Sequence, residues 1–416
     1  MKPLPRKSSA AVLFGTYVAM EVVFVAVVVS GSTLLAVFEL SRTQLGLCLG
    51  AAQFGGLVAS LLIGPVTHRH GPLWTVTVAL LGLLLALVTV IAARDFPTLF
   101  AGLALAGVCA AAVHNGGVTL LSGVFPGNVR RVMAFASSLW FGASVLTAPL
   151  IGAWLDLMAA YDARAWGYRA PLLVTFVLLV LCLGLVRWRL RWVRVMHRRE
   201  RRGPASPARR PLWRRALPDA SWQWLWILAM AVCHGLMLVS LMAWASPMAQ
   251  ATFHVSELMG SAMFAITALG LASGRLLLAA NPLPIEDQRL LVISGSVGGL
   301  LLAAALLVPG YWPTFALLGL GMLTSSATAP CLFALVAARF APVRAHVYGY
   351  MEAGIASGAM LGAFLVGFMA DHGVALPLAM LLSPAAAVTL GMLSLAWRLT
   401  TPGGGSHAIA IAPPAQ

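Results

Sequence analysis

Apolar runs of about twenty residues or more dominate the sequence, and short polar breaks separate them. A helix of about 20 mostly apolar residues is what a chain needs to cross the hydrocarbon core of a bilayer. The 416-residue chain is 60% hydrophobic and only 9% charged, whereas a soluble domain carries about 25% charged residues. A soluble fold has no way to bury that much apolar surface. The pattern therefore predicts an all-α protein that crosses a membrane many times.

Twelve membrane spans are predicted from these runs. The breaks between them combine charge with Pro or Gly, as in "ARDFP" and "NPLPIEDQR", and each break would be costly to place in hydrocarbon. The predicted spans are 11–37, 44–66, 73–93, 98–124, 132–155, 171–188, 222–246, 256–280, 289–308, 312–338, 346–370 and 375–397.

Lys and Arg residues are distributed unevenly over the breaks. If both termini are cytoplasmic, 22 basic residues fall in inner segments, 4 fall in outer loops, and Arg275 lies within a span. Cytoplasmic loops keep an excess of positive charge during insertion, so we expect a plasma-membrane protein, of the bacterial inner membrane, with both termini in the cytoplasm. This topology also explains the net charge of +15, and we therefore expect membrane lipids and no nucleic acid as partners.

Segments about 215 residues apart resemble each other. "FELSRTQLG" from Phe38 matches "FHVSELMG" from Phe253, and "LIGAWLD" ending at Asp156 matches "LVGFMAD" ending at Asp371. Six spans are thus repeated in parallel, and a parallel repeat of six-span halves is typical of a transporter with a central binding site. The predicted organisation is a six-helix bundle over 1–186, a basic cytoplasmic linker over 187–220, a second six-helix bundle over 221–400, and a C-terminal tail over 401–416.

The break "GPVTHRHGP" between the second and third spans resembles the best-known signature of the major facilitator superfamily. Gly64, Arg69 and Gly71 match that signature, and His68 stands where the family usually has Asp. "PGNVRRVMA" after the fourth span and "WGYRAP" before the sixth are also similar to family segments. The resemblance implies the family's fold, two pseudo-symmetric six-helix bundles, and transport of a small solute by alternating access.

In that family the signature turn forms a cytoplasmic charge latch, which breaks as the two halves rock. With His68 in place of the acidic residue, the latch is either weak or responsive to pH. The resemblance assigns a gating role to six residues, which are Gly64, His68, Arg69, Gly71, Arg130 and Arg131. Glu352, a charged residue about two turns into the eleventh span from the cytoplasmic side, is a further gating candidate.

In the same family the first, fourth, seventh and tenth helices line the central cavity, and each of these spans has polar residues near its middle. Glu21, His114 and His234 are the candidates for proton coupling. An ionisable group within a span costs free energy on membrane insertion, so its presence indicates a function. The candidates for substrate contact are Asn115, Thr324, Ser325, Ser326 and Thr328. The alternative for each is structural, namely a static bond or a packing contact with a neighbouring helix.

Arg275, in the eighth span, resembles the arginine with which monocarboxylate transporters bind their substrate's carboxylate. The loop "LSRTQLG" and the turn "RHGP" are similar to that branch as well. The segment "GRLLLAANP" equally looks like the ordinary inner end of this helix in many facilitators. A substrate contact and a structural role therefore both remain open for Arg275.

The function predicted from these features is proton-coupled uptake of a small organic anion or metabolite, with no cofactor. Efflux by proton antiport, copper import and a scaffold without transport activity are the alternatives. The copper alternative depends on Met230, His234 and Met237, which share one helix face and offer soft ligands. No nucleotide-binding Gly-rich loop precedes a helix, so we do not expect an enzyme.

Overall fold

The computed structural model describes residues 6–124, 129–189, 223–280, 285–340 and 344–400, and these residues form helices without any strand. The helices of the N-terminal half are α1 (Arg6–Val29), α2 (Gly31–Val37), α3 (Arg42–His70), α4 (Pro72–Ala92), α5 (Phe96–Val124), α6 (Val129–Ala160) and α7 (Arg164–Arg189). Those of the C-terminal half are α8 (Gln223–Phe253), α9 (Glu257–Ala280), α10 (Asp287–Leu307), α11 (Tyr311–Ser325), α12 (Thr328–Arg339), α13 (Arg344–Asp371), α14 (Leu376–Ala379) and α15 (Leu382–Thr400).

The helices correspond to the twelve predicted spans. Three spans are divided, since α1 and α2 form the first, α11 and α12 the tenth, and α14 and α15 the twelfth. Within the described residues, eleven segments are long and apolar enough to cross a membrane. The helix outside that set is α3, which is 29 residues long but rich in glycine and polar residues. It packs between α5 and α13, so much of its surface faces protein.

The break between the second and third spans is shorter than predicted. Helix α3 continues through His70, and Gly71 alone joins it to α4, which begins at Pro72. Gly71 has a φ of 92°, a backbone conformation that side chains with a Cβ rarely adopt. Its N–H bonds the carbonyl of Thr67, while Pro72 begins the next helix where no N–H is needed.

The sixth span also begins earlier than predicted. Arg164 and Arg169 were expected in an outer loop, but α7 begins at Arg164 and includes both. Arg169 donates from Nε to the Tyr168 hydroxyl at 3.0 Å and lies over the Tyr168 ring. The aromatic and apolar residues around these arginines extend the helix beyond the hydrophobic run from which the span was predicted.

Two long seams join the halves. Helix α3 packs along α13, and α6 packs along α9. Gly46 shows how closely the first seam is packed, since a Cβ at this position would lie 2.5 Å from the backbone oxygen of Ala363. Such close approach of backbones is a common use of glycine between membrane helices.

The bundle has two faces, which we name by the chain ends. The near face is where α1 begins and α15 ends, and the far face is where α3 and α9 begin. At the far face Gly31 packs against Pro247, so that the far ends of the first and seventh spans also meet. The predicted orientation would put the near face in the cytoplasm.

Candidate functional site

Glu21 lies in α1 and is only 1% exposed. The Ser144 hydroxyl of α6 donates a hydrogen bond to its Oε1. Its Oε2 is fully enclosed and has no hydrogen-bond partner among the described residues. A carboxyl group in this setting has one fixed oxygen and one oxygen available to a proton, a water molecule or a ligand. A static bond, the structural alternative for Glu21, thus exists for only one of its two carboxyl oxygens.

Arg275 lies in α9, in the other half, and is 6% exposed. Its guanidinium carbon lies 4.7 Å from the centre of the Phe141 ring of α6, a cation–π contact between the halves. Nε is enclosed and has no partner, and no ion pair of Arg275 exists within the described residues. A buried cation is normally paired, so this guanidinium has unused capacity to bind an anion.

One turn of α6 connects these two charged side chains. Phe141 contacts Arg275, and Ser144, three residues further along, contacts Glu21. Residues three apart lie on the same side of a helix, so Glu21 and Arg275 approach α6 at adjoining positions. Neither Phe141 nor Ser144 stands out in the sequence, since a phenylalanine and a serine are ordinary residues in a membrane helix.

His234 of α8 joins this group from the C-terminal half. It is 2% exposed, lies within electrostatic range of Arg275, and its Nδ1 lies 3.0 Å from the hydroxyl of Thr328. That hydroxyl donates its hydrogen to the carbonyl of Ser325 at 2.8 Å. Because the single hydroxyl hydrogen of Thr328 is used in this bond, the hydrogen between Thr328 and His234 lies on Nδ1 of His234. Nε2 is then the ring nitrogen that can accept a proton.

The tenth span is interrupted beside His234, although the sequence predicts one continuous helix there. Helix α11 ends at Ser325 and α12 begins at Thr328. Pro330 has no N–H to donate to the carbonyl of Ser326, and its ring disfavours a regular helix at that carbonyl. The break turns Thr328 toward His234 and puts Ser326 against Gly274, next to Arg275. Interrupted helices are a usual way to build a binding site within a membrane.

The remaining predicted substrate residues are partly engaged elsewhere. Thr324 donates to the carbonyl of Leu320 in its own helix, and Asn115 donates likewise to Ala111. Ser325 donates to the carbonyl of Ser294 at 3.4 Å. These contacts are the structural roles that we considered as alternatives, and they do not bring the three residues to Glu21 or Arg275.

His114 lies apart from His234, in an aromatic cluster of the N-terminal half. Its ring is 5.6 Å from that of Tyr17 and 5.7 Å from that of Trp140. Nδ1 of His114 is enclosed and has no partner among the described residues. Tyr17 precedes Glu21 by four residues and Trp140 precedes Ser144 by four, so the cluster adjoins the Glu21–Ser144 contact one helical turn away.

The predicted gating residues are only partly described. The side chains of His68, Arg130 and Arg131 lie outside the described set, as does the environment of Gly64. The side chain of Arg69 is exposed at the near end of α3. Glu352 is partly buried, about two turns into α13, and no ion pair involving it occurs in the described ranges.

The three residues behind the copper alternative are buried. Met230 and Met237 are fully enclosed, but they belong to two separate hydrophobic clusters. No group of three or more His, Cys, Asp or Glu side chains suited to a metal ion occurs in the part of the chain that is described.

The architecture thus consists of two six-span halves with a group of polar and charged residues where they meet, which defines the class of secondary transporters. Comparison with protein families agrees, since the family model described as Major Facilitator Superfamily matches residues 10–283. The chain belongs to this superfamily. No individual curated protein matches it.

Proposed function

We propose that the protein is a proton-coupled transporter that takes up a small organic anion by alternating access. The observation that supports this proposal is that one turn of α6 contacts two buried charged side chains. Within the described residues one is a guanidinium without an ion pair, and the other is a carboxyl group with only one hydrogen-bonded oxygen. Arg275 is the former and Glu21 the latter.

In this proposal Arg275 binds the carboxylate of the substrate. A guanidinium can donate two parallel hydrogen bonds to a carboxylate, and such charge-assisted bonds are strong where water is excluded. Arg275 contacts Phe141 across the junction of the halves. An anion bound to Arg275 would alter this contact between the halves, and in this way binding would be coupled to their movement.

Glu21 carries the proton in the same proposal. A carboxyl group that is enclosed in one conformation and hydrated in the other can take up and release a proton as the halves alternate. His234 and His114 are proposed to assist, since each has a ring nitrogen without a hydrogen-bond partner in the described contacts. A proton that accompanies an anion cancels its charge, and the membrane potential then does not oppose uptake.

The first experiment identifies the ligand class. Purified protein in detergent is heated with carboxylates, sugars, amino acids, cationic drugs or Cu(I), each at pH 5.5 and 7.5. A ligand at 100 times its dissociation constant stabilises the protein by about 2.7 kcal/mol. We expect stabilisation by carboxylates. Stabilisation by cationic drugs alone would favour efflux instead, and stabilisation by Cu(I) alone would favour metal import.

The second experiment tests the two roles in proteoliposomes with an imposed pH gradient. Arg275→Lys should weaken anion binding about tenfold to a hundredfold, because the paired hydrogen bonds are lost. Glu21→Gln should abolish proton-driven accumulation while anion exchange continues. The exposed residues Arg94 and Glu39 provide matched controls, since Arg94→Lys and Glu39→Gln should behave as the unmodified protein. Normal exchange and normal accumulation by Glu21→Gln would show that Glu21 is not the proton carrier.

A further inference from the structure

Two aspartates at the far face make the same contact across the two seams. Asp156, at the far end of α6, accepts hydrogen bonds from the backbone N–H groups of Glu257 and Leu258 at 2.9 and 3.0 Å. Asp371, at the far end of α13, accepts them from the N–H groups of Arg42 and Thr43 at 3.1 and 2.7 Å. Each aspartate belongs to one half and binds the first turn of a helix of the other half.

The two contacts are equivalent residue by residue. Ser41 and Ser256 accept hydrogen bonds from the N–H groups three residues later, those of Gln44 and Met259. In both seams the bound N–H groups are those of the first and second residues after this serine. The duplication at Asp156 and Asp371 thus repeats a contact between the halves, which the sequence similarity alone did not reveal.

Side chains strengthen both contacts, by different means. At the first seam the Thr43 hydroxyl donates to Asp371 at 2.6 Å. At the second seam the Glu257 carboxylate accepts a hydrogen bond from Ser32 of the N-terminal half at 2.8 Å and one from Gln250 at 2.8 Å. The N–H groups at the start of a helix have no partner within the helix, so each first turn depends on the opposite half for part of its hydrogen bonding.

We propose that Asp156 and Asp371 form a two-part latch that holds the far face closed, and that both contacts must break before this face opens. The far ends of α3 and α9 would move away from α13 and α6, and two N–H groups in each seam would lose their carboxylate. This inference depends on the family's alternation of two halves, and it is independent of the roles proposed for Glu21 and Arg275.

Distance measurements between spin labels test the latch. The labels are attached through Tyr161→Cys in the N-terminal half and Trp312→Cys in the C-terminal half, in the full chain with its five native cysteines replaced by alanine. Both positions are highly exposed at the far face, at 73% and 67%. A second pair, Trp312→Cys with His372→Cys, lies within one half and should report no change. The protein is measured in nanodiscs without substrate.

We expect Asp156→Ala or Asp371→Ala to raise the ratio of long-distance to short-distance molecules about fivefold, and the double variant about 25-fold. These values follow from the usual effect of removing a capping side chain, taken as additive at separate sites. Asp156→Asn with Asp371→Asn should open the face less, since asparagine also caps helices well.

Asp95→Ala is the matched control. Asp95 accepts a hydrogen bond from the Thr98 N–H at 2.9 Å, also at the far face, but within the N-terminal half. Its loss should leave the distances unchanged. The latch would be refuted if the Asp156→Ala and Asp371→Ala variants, singly or together, were folded and gave the distances of the unmodified protein. If the double variant did not fold, the single variants and the asparagine pair would decide the question.

Discussion

At the scale of single residues, the hydroxyl of Thr328 decides how His234 is held. It accepts from Nδ1 of His234 and donates to Ser325 in a buried position. Thr328→Val keeps the shape and leaves Nδ1 without a partner, so we expect the free energy of unfolding to fall by about 1–3 kcal/mol. A thermal melt in detergent measures this loss. Thr328→Ser retains the hydroxyl and should melt close to the unmodified protein, and equal melting of the valine and serine variants would contradict the proposed network.

Residues also show what sequence reasoning can and cannot find. Glu21, His234 and Arg275 are conspicuous because a charged or ionisable group in an apolar span needs an explanation. Ser144 and Phe141 carry no such signal, because serines and phenylalanines are frequent in membrane helices and most of them only pack. Their importance depends on the neighbour that each one contacts.

At the scale of helices, the start of α5 depends on Asp95. The backbone N–H of Thr98 donates to its carboxylate and holds the pKa of Asp95 below its ordinary value. A pKa lowered in the folded state gives stability that is present above the unfolded pKa, about 3.9, and is lost as the pH falls through the lowered value.

Asp95→Ala should therefore lower the melting temperature at pH 7, and the difference from the unmodified protein should shrink as the pH falls below about 3.9. Melts over a series of pH values measure this dependence. Asp95→Asn is the matched control, since asparagine keeps a capping oxygen without the charge, and its melting temperature at pH 7 should lie between those of Asp95→Ala and the unmodified protein. A difference that persists unchanged at low pH would show that Asp95 does not act through its charge.

The helices differ from the predicted spans at identifiable places. The sequence predicts one span through Ser326, and the structure divides it there because Pro330 cannot donate a hydrogen bond. Hydropathy does not respond to a missing N–H, so it extends an apolar run across such a break. The predicted second span ends too early for the opposite reason, since polar residues lower the hydropathy from Thr67 onward while the backbone hydrogen bonds of α3 continue to His70.

At the scale of the whole molecule, the closed far face requires that α3 and α13 approach closely. Gly46→Ala would bring a Cβ within 2.5 Å of the Ala363 backbone oxygen, a contact that only movement of one helix can relieve. We expect the seam to be held apart and the long-distance population of the Tyr161–Trp312 label pair to increase.

Gly142→Ala is the matched control for this substitution, since a Cβ at Gly142 would meet nothing within 4 Å. It should leave the label distances unchanged, and should raise the melting temperature slightly because alanine favours helix. Equal label distances in the Gly46 and Gly142 variants would contradict a close-packed seam at Gly46.

The membrane class, the succession of spans, the duplication and the family could all be predicted from the sequence, because hydropathy, polar breaks and short motifs are properties of the local chain. The sequence also indicates Glu21, His234 and Arg275 as functional candidates, because ionisable groups within membrane spans cost free energy. The contacts of Ser144 with Glu21, of Phe141 with Arg275, and of Asp156 and Asp371 with the opposite halves are visible only in the folded structure. Each of these contacts joins segments more than 100 residues apart, and such a pairing depends on how helices pack, which no local pattern encodes.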